Sequence, residues 1–133
     1  MKALRYEQHQ MKKILIIDDE PEICLLLKKY FSRKGFDANS KTSGGEAMDW
    51  LKTNGADVVI CDFKLPDYTG LEILQKIKII APDTQVIIIT GYSDVKIAVE
   101  ALKKGAFDYV TKPLYPDEIL VNVEQALASQ KSG

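Results

Sequence analysis

Residues 58–70 read Val58-Val59-Ile60-Cys61-Asp62-Phe63-Lys64-Leu65-Pro66-Asp67-Tyr68-Thr69-Gly70. Four apolar residues in a row, without polar alternation, mark a short strand buried on both faces. An aspartate follows its last apolar residue. Pro66 and Gly70 then punctuate a loop, and Leu71, Leu74 and Ile77 lie on one face of a helix that closes before Pro82. A strand covered on both faces and followed by a helix is the repeating unit of a parallel α/β sheet.

The same unit recurs on either side. Ile14 to Ile17 form an apolar run that ends in Asp18-Asp19. Pro21 in a first turn, Glu22 near a helix N-terminus and Gly35 as a stop then bracket a helix with Ile23, Leu26, Leu27, Tyr30 and Phe31 as its apolar stripe. A weaker strand is expected over Phe36 to Ser40. Ser43 can cap a helix carrying Ala47, Met48 and Leu51, which stops near Asn54-Gly55. Downstream, Val86 to Ile89 run into Thr90. A helix carrying Ile97, Ala98, Ala101 and Leu102 is expected from Ser93 or Asp94 to Gly105. A strand at Phe107 to Val110 leads into Thr111-Lys112-Pro113, and a last helix begins near Pro116-Asp117 with Ile119, Leu120, Val123 and Leu127.

Five strand–helix pairs joined by short loops predict one flavodoxin-like (βα)5 domain. Its doubly wound parallel sheet has right-handed crossovers and strand order 2-1-3-4-5. The domain is expected over residues 11–131. Residues 1–10, MKALRYEQHQ, have no clear period and precede a second methionine, so they read as an added or flexible extension, and His9 within them as inert.

At 133 residues the chain is one domain's worth, long enough to bury a core without disulfides. A net charge of -1 gives no broad field for nucleic acid or an anionic membrane. Cys24 and Cys61 both fall in apolar patterns and read as small buried hydrophobes, which fits a reducing compartment. No apolar run approaches a membrane span, and residues 1–10 lack a signal peptide's apolar block. These absences point to a cytoplasmic protein.

In a parallel sheet all strands end on one edge, and ligands bind where the strand order reverses, here between strands one and three. The residues expected at that edge are Asp18 and Asp19 after strand one, Asp62 after strand three, Thr90 after strand four and Lys112 after strand five. Each has a plain alternative. The paired aspartates could cap a helix, Asp62 could open a turn, Thr90 could cap and Lys112 could be solvated. Their joint placement at carboxyl ends argues for a site. Three carboxylates at about 4 Å repel by about 4 kcal/mol per pair at a surface-like dielectric. Raised pKa values or a cation must relieve this, and hard oxygen ligands select Mg²⁺, with Mn²⁺ as a substitute. Lys112 and the Thr90 hydroxyl can then hold phosphate oxygens, and a carboxylate can accept the phosphoryl group.

With these residues in place the chain resembles the receiver domain of two-component response regulators. The matching segments are Ile16-Ile17-Asp18-Asp19-Glu20, Asp62 to Asp67 with Gly70, Ile89-Thr90-Gly91-Tyr92, Gly105-Ala106-Phe107-Asp108-Tyr109 and Lys112-Pro113. They span roughly Met11 to Ser129, and their wording is most similar to the nitrogen-regulator-type subgroup. The resemblance implies that Asp62 is the phosphoacceptor. It also implies that Asp19, Asp62 and the Lys64 backbone carbonyl ligate Mg²⁺ directly, and that Asp18 does so largely through water. Thr90 and Lys112 would bind the phosphoryl group, Tyr109 would report activation by its rotamer, and the Lys112–Pro113 bond would be cis. Lys64 and Tyr92 stand at positions that tune dephosphorylation.

Three expectations concern signalling. Thr90 moves toward the phosphoryl group and Tyr109 fills the vacated space, shifting the surface of the fourth helix, last strand and last helix to control an output such as transcription. The fourth helix is apolar over more than one face, which makes it either tightly buried or a partner-binding face for a homodimer. The cognate histidine kinase is expected to dock on the first helix, with Cys24, Leu25 and Lys28 exposed there, and on the loop after Pro113. Other classes compete. A Mg²⁺-dependent aspartyl-phosphate phosphatase would place a second aspartate where Lys64 stands. A flavin module would need a hydroxyl- or glycine-rich phosphate loop where Asp18-Asp19-Glu20 stands. A degenerate, purely structural receiver would lack the complete acidic set.

Overall fold

The computed structural model describes residues 12–91 and 95–132 of the chain. The segments 1–10 and Tyr92 to Asp94, and with them the expected start of the fourth helix, lie outside the described residues. The strands are β1 (Lys13–Ile17), β2 (Asp37–Lys41), β3 (Val58–Asp62), β4 (Gln85–Thr90) and β5 (Asp108–Thr111). The helices are α1 (Pro21–Arg33), α2 (Gly44–Asn54), α3 (Gly70–Ile80), α4 (Val95–Lys103) and α5 (Pro116–Ser132). All neighbouring strands are parallel, in the order β2-β1-β3-β4-β5.

The unalternating apolar runs are explained by two cores, one on each sheet face. Ile14, Ile16, Val58, Ile60, Ile87 and Ile89 pack with Leu27 and Phe31 of α1 and Ile119 and Val123 of α5. Leu15, Ile17, Val59, Cys61, Val86 and Ile88 pack with residues of α2, α3 and α4, including Met48, Ile73, Ile77 and Ala101. Every residue of β3 is buried. Both cysteines are buried and free.

Three expectations change. Phe36 is buried but precedes β2, because its N–H donates to the Phe31 carbonyl and finishes the helix end; the ladder begins one residue later, where Asp37 N–H donates to Lys12. Leu26 is 47% exposed and drops out of the α1 stripe, whose buried members are Cys24, Leu27 and Phe31. Cys24, expected on the exposed docking face, is therefore core, and Leu25 and Lys28 remain exposed.

Helix starts set the geometry near the sheet's carboxyl edge. Ser43 caps α2 by accepting from Glu46 N–H, and Thr69 with Glu72 forms a reciprocal capping box on α3. At Gly70 the backbone comes so close to β3 that its N–H donates to the Phe63 carbonyl at 2.6 Å; a Cβ there would sit 2.8 Å from the Asp62 carbonyl oxygen.

Candidate functional site

The register brings the sheet's carboxyl ends together. Ile17 pairs with Cys61, so the residues just past them, Asp18 and Asp62, stand side by side. Asp62 pairs with Ile89 and Thr90 with Thr111, which places Thr90 and Lys112 on the next two strand ends. The loops are tied down there. Asp18 N–H donates to Lys41, Phe63 N–H to Ile89, and Lys112 N–H to Thr90.

Asp18, Asp19 and Asp62 each offer a carboxylate oxygen, and these oxygens lie within 4.8 Å of one another. Asp18 and Asp62 are buried, while Asp19 is exposed. Lys112 Nζ stands 3.3 Å from Asp62 Oδ2, 3.3 Å from Glu20 Oε2 and 3.9 Å from Asp18 Oδ2. Thr90 is buried at the same edge. An open cleft of about 610 Å³ runs above these groups, with Asp19, Asp62, Lys64, Thr90 and Lys112 in its lining.

The electrostatics follow from crowding. Burial raises the Asp18 carboxyl most; the Glu20 N–H, 2.9 Å away, opposes the rise, the Asp62 charge adds to it, and the result is about 6. Asp62 is raised as well, by burial first, against the pull of Lys112 and the Lys64 N–H and with a push from Asp19. Burial lowers Lys112, but the charges of Asp62 and Asp18 with the hydrogen bonds to Glu20 and Asp62 outweigh it, so its ammonium is held charged. Lys112 thus faces the carboxylates of Asp18, Glu20 and Asp62, with Asp19 beside them, one basic group among four acidic ones. An all-oxygen donor set of this charge fits a hard divalent cation.

Of the remaining residues singled out in the sequence, Tyr109 is half-buried and pairs with Ile88, so it lies on the same sheet face as Thr90. The Lys112–Pro113 bond is cis. Lys64 N–H approaches Asp62 Oδ1 at 3.5 Å and Lys64 bridges to Thr69 across the loop. Tyr92 lies outside the described residues. On α4 only Ala101 is buried; Val95, Val99 and Leu102 are exposed, which excludes the tightly buried alternative. Two contacts escaped the sequence reading: Glu20 with Lys112 at the site and, away from the cleft, Asp67, whose oxygens accept from Gly44 and Gly45 N–H. Glu20 was legible as a third acid in the run after β1. Pro66-Asp67 reads as an ordinary turn, and nothing local signals the distant glycines.

A doubly wound sheet with a carboxylate cluster at its β1/β3 switch point, and a lysine and a buried threonine beside it, is an α/β domain whose polar groups gather where such sheets bind their ligands. Residues 14–124 match the response regulator receiver domain family, and the chain belongs to that family, whose members mediate phosphorylation-dependent signalling. The chain is 36% identical over 124 residues to the transcriptional regulatory protein ZraR of Escherichia coli, covering 93% of this chain and 28% of that protein. It is 37% identical over 113 residues to the DNA-binding transcriptional regulator NtrC of Klebsiella pneumoniae, covering 85% and 24%. The chain thus spans about a quarter of the length of these curated relatives. Among solved structures, a CheY-like response regulator receiver domain from Methanospirillum hungatei superposes with a TM-score of 0.88 at 29% identity, over 92% of this chain and 98% of that one. The beryllofluoride-activated NtrC4 receiver domain dimer gives 0.86 at 32%, over 90% and 99%. Among the described residues no helix is long and apolar enough to cross a membrane.

Proposed function

We propose that Asp62 accepts a phosphoryl group from a phosphohistidine of a sensor kinase, in a site that Asp18, Asp19, Asp62 and the Lys64 carbonyl complete with Mg²⁺, or Mn²⁺ in its place. The observation that carries the reading is the convergence of three carboxylate oxygens within 4.8 Å beside Lys112. A lone pair of an Asp62 oxygen forms the new P–O bond while the P–N bond to the donor imidazole breaks, and the imidazole nitrogen keeps that electron pair and takes up a proton. Lys112 stands close enough to Asp62 to draw the incoming phosphate oxygens, and Thr90 holds a hydroxyl at the same edge for a hydrogen bond to one of them. When bound, the divalent cation would supply charge neutralisation to the crowded oxygens. Asp19 and Asp62 would hold it directly and Asp18 largely through water. Such a domain transfers the phosphoryl group onto itself and loses it to water, without turning over a separate substrate.

The signal would pass through Thr90 and Tyr109, which share a sheet face, to the α4–β5–α5 surface, where a second copy could pair. Exposed Val95, Val99 and Leu102 support that surface, and so does the dimeric state of the activated NtrC4 receiver domain. The kinase would dock on α1 through Leu25 and Lys28. The relatives are transcriptional regulators, so the output of the whole protein would be transcription, with nucleic acid bound outside this domain, in the cytoplasm. Residues 11–131 would form the receiver, and 1–10 an extension to it. Intact-mass analysis after incubation with acetyl phosphate tests the reading. A single phosphoryl increment is expected with Mg²⁺, absent with a chelator and lost in hydroxylamine. An increment that survives hydroxylamine, or forms equally with chelator, contradicts it.

A further inference from the structure

The loop that carries Lys64 is fastened on its far side by an interaction that does not touch the cleft. Asp67 Oδ1 accepts from Gly44 N–H at 2.9 Å and Asp67 Oδ2 from Gly45 N–H at 2.8 Å. These are the first two helical residues of α2, whose N–H groups have no partner within the helix. Ser43, the N-cap, serves Glu46 N–H, so cap and carboxylate divide the exposed donors between them. The fit is close: a Cβ at Gly44 would meet Asp67 Oδ1 at 3.2 Å, and one at Gly45 would meet Oδ2 at 3.3 Å.

These contacts belong to a ring. Asp18 N–H donates to Lys41 at the end of β2. From Lys41 the chain runs through Ser43 to Gly44 and Gly45, which donate to Asp67. From Asp67 the loop returns to Lys64, whose N–H faces Asp62 Oδ1 at 3.5 Å. Asp67 is thus the side-chain link between the turn that holds Asp18 and the loop that follows Asp62.

We propose that Asp67 is a positioning residue that sets the Lys64 peptide and the two halves of the acidic cluster in register for a divalent cation. This rests on the reading that Asp18, Asp19 and Asp62 hold such a cation. Without the Asp67 bonds the loop would still be closed by the Lys64–Thr69 bridge and the Gly70–Phe63 hydrogen bond. It would then move as a unit relative to α2, so that the fold persists and the ligand geometry loosens. Ser43→Ala supplies the contrast, since it removes a cap from the same helix without touching the loop.

The test is calorimetric titration of the full chain with Mg²⁺ alone, with urea unfolding of each variant alongside. Asp67→Ala is expected to weaken affinity about tenfold, as loss of an outer-sphere support does. Asp67→Asn keeps one acceptor and turns an N–H toward the other glycine, so it weakens affinity less; it decides the matter if the alanine variant does not fold. Ser43→Ala should lower stability and leave affinity unchanged. Native affinity in both Asp67 variants, or equal weakening by Ser43→Ala, overturns the positioning role while the metal site stands. A native chain that gives no saturable Mg²⁺ heat overturns the metal site itself.

Discussion

Asp18 is buried beside Asp62 and holds its proton more tightly than an isolated carboxyl, titrating near 6 instead of 3.8. The folded state favours the protonated form, so this group's contribution to stability is complete below the unfolded value and disappears as pH rises through about 6. At about 1.4 kcal/mol per unit, the loss is on the order of 3 kcal/mol. In chelator, urea unfolding should therefore show stability falling from about pH 4 to about pH 7. Asp18→Asn should flatten that slope and be more stable than the native chain at neutral pH. A variant that is less stable there would mean that the pull of the Glu20 N–H and Lys112 on the Asp18 carboxylate outweighs the cost of burying it. The acids themselves were legible one at a time, because each closes an apolar run. Their mutual distances were not, since these depend on the β1–β3 register. Asp67 was invisible for a related reason: its partners are backbone N–H groups, which carry no residue signature.

At the scale of elements, the β3–α3 connection is a joint in which backbone meets backbone. A Cβ on Gly70 would meet the Asp62 carbonyl oxygen and Phe63 Cα, both 2.8 Å away and both backbone. A Cβ on Gly44 would meet Ile73 Cδ1 and Tyr68 Cδ2 at 2.7 Å, both side-chain atoms, which can give way more readily than backbone. Overpacking costs about 1–3 kcal/mol. Gly70→Ala should fall at the upper end of that range and Gly44→Ala at the lower, measured as urea midpoints at constant slope; the reverse order would contradict the backbone argument. The central strands were readable because burial on both faces removes polar alternation. β2 (Asp-Ala-Asn-Ser-Lys) was harder to place, since an edge strand keeps polar residues and its start is set by the Phe36–Phe31 helix closure, a long-range decision. The exposure of Leu26 was missed for the opposite reason: an apolar residue at the edge of a helical stripe looks the same in sequence whether a neighbour covers it or not.

Across the whole molecule, two cores hold one sheet from either side, and the acidic edge belongs to neither. Ile14 and Ile16 anchor β1 against α1 and α5, while Leu15 and Ile17 anchor it against the opposite layer. Asp18 and Asp62 emerge where those layers end, presented by a frame packed well enough to keep like charges close together. The same frame sets Tyr109 and Thr90 on one sheet face. The central claim is that this crowding makes Asp62, among the carboxylates at the edge, the one that takes the phosphoryl group. Borohydride reduction of the acetyl-phosphate-treated protein turns an acyl phosphate on aspartate into homoserine, and peptide mass mapping locates it. Homoserine at position 62, formed only when Mg²⁺ was present, is the predicted result. Homoserine at position 18 or 19, or none at all in a protein that carries the phosphoryl group, would contradict the account.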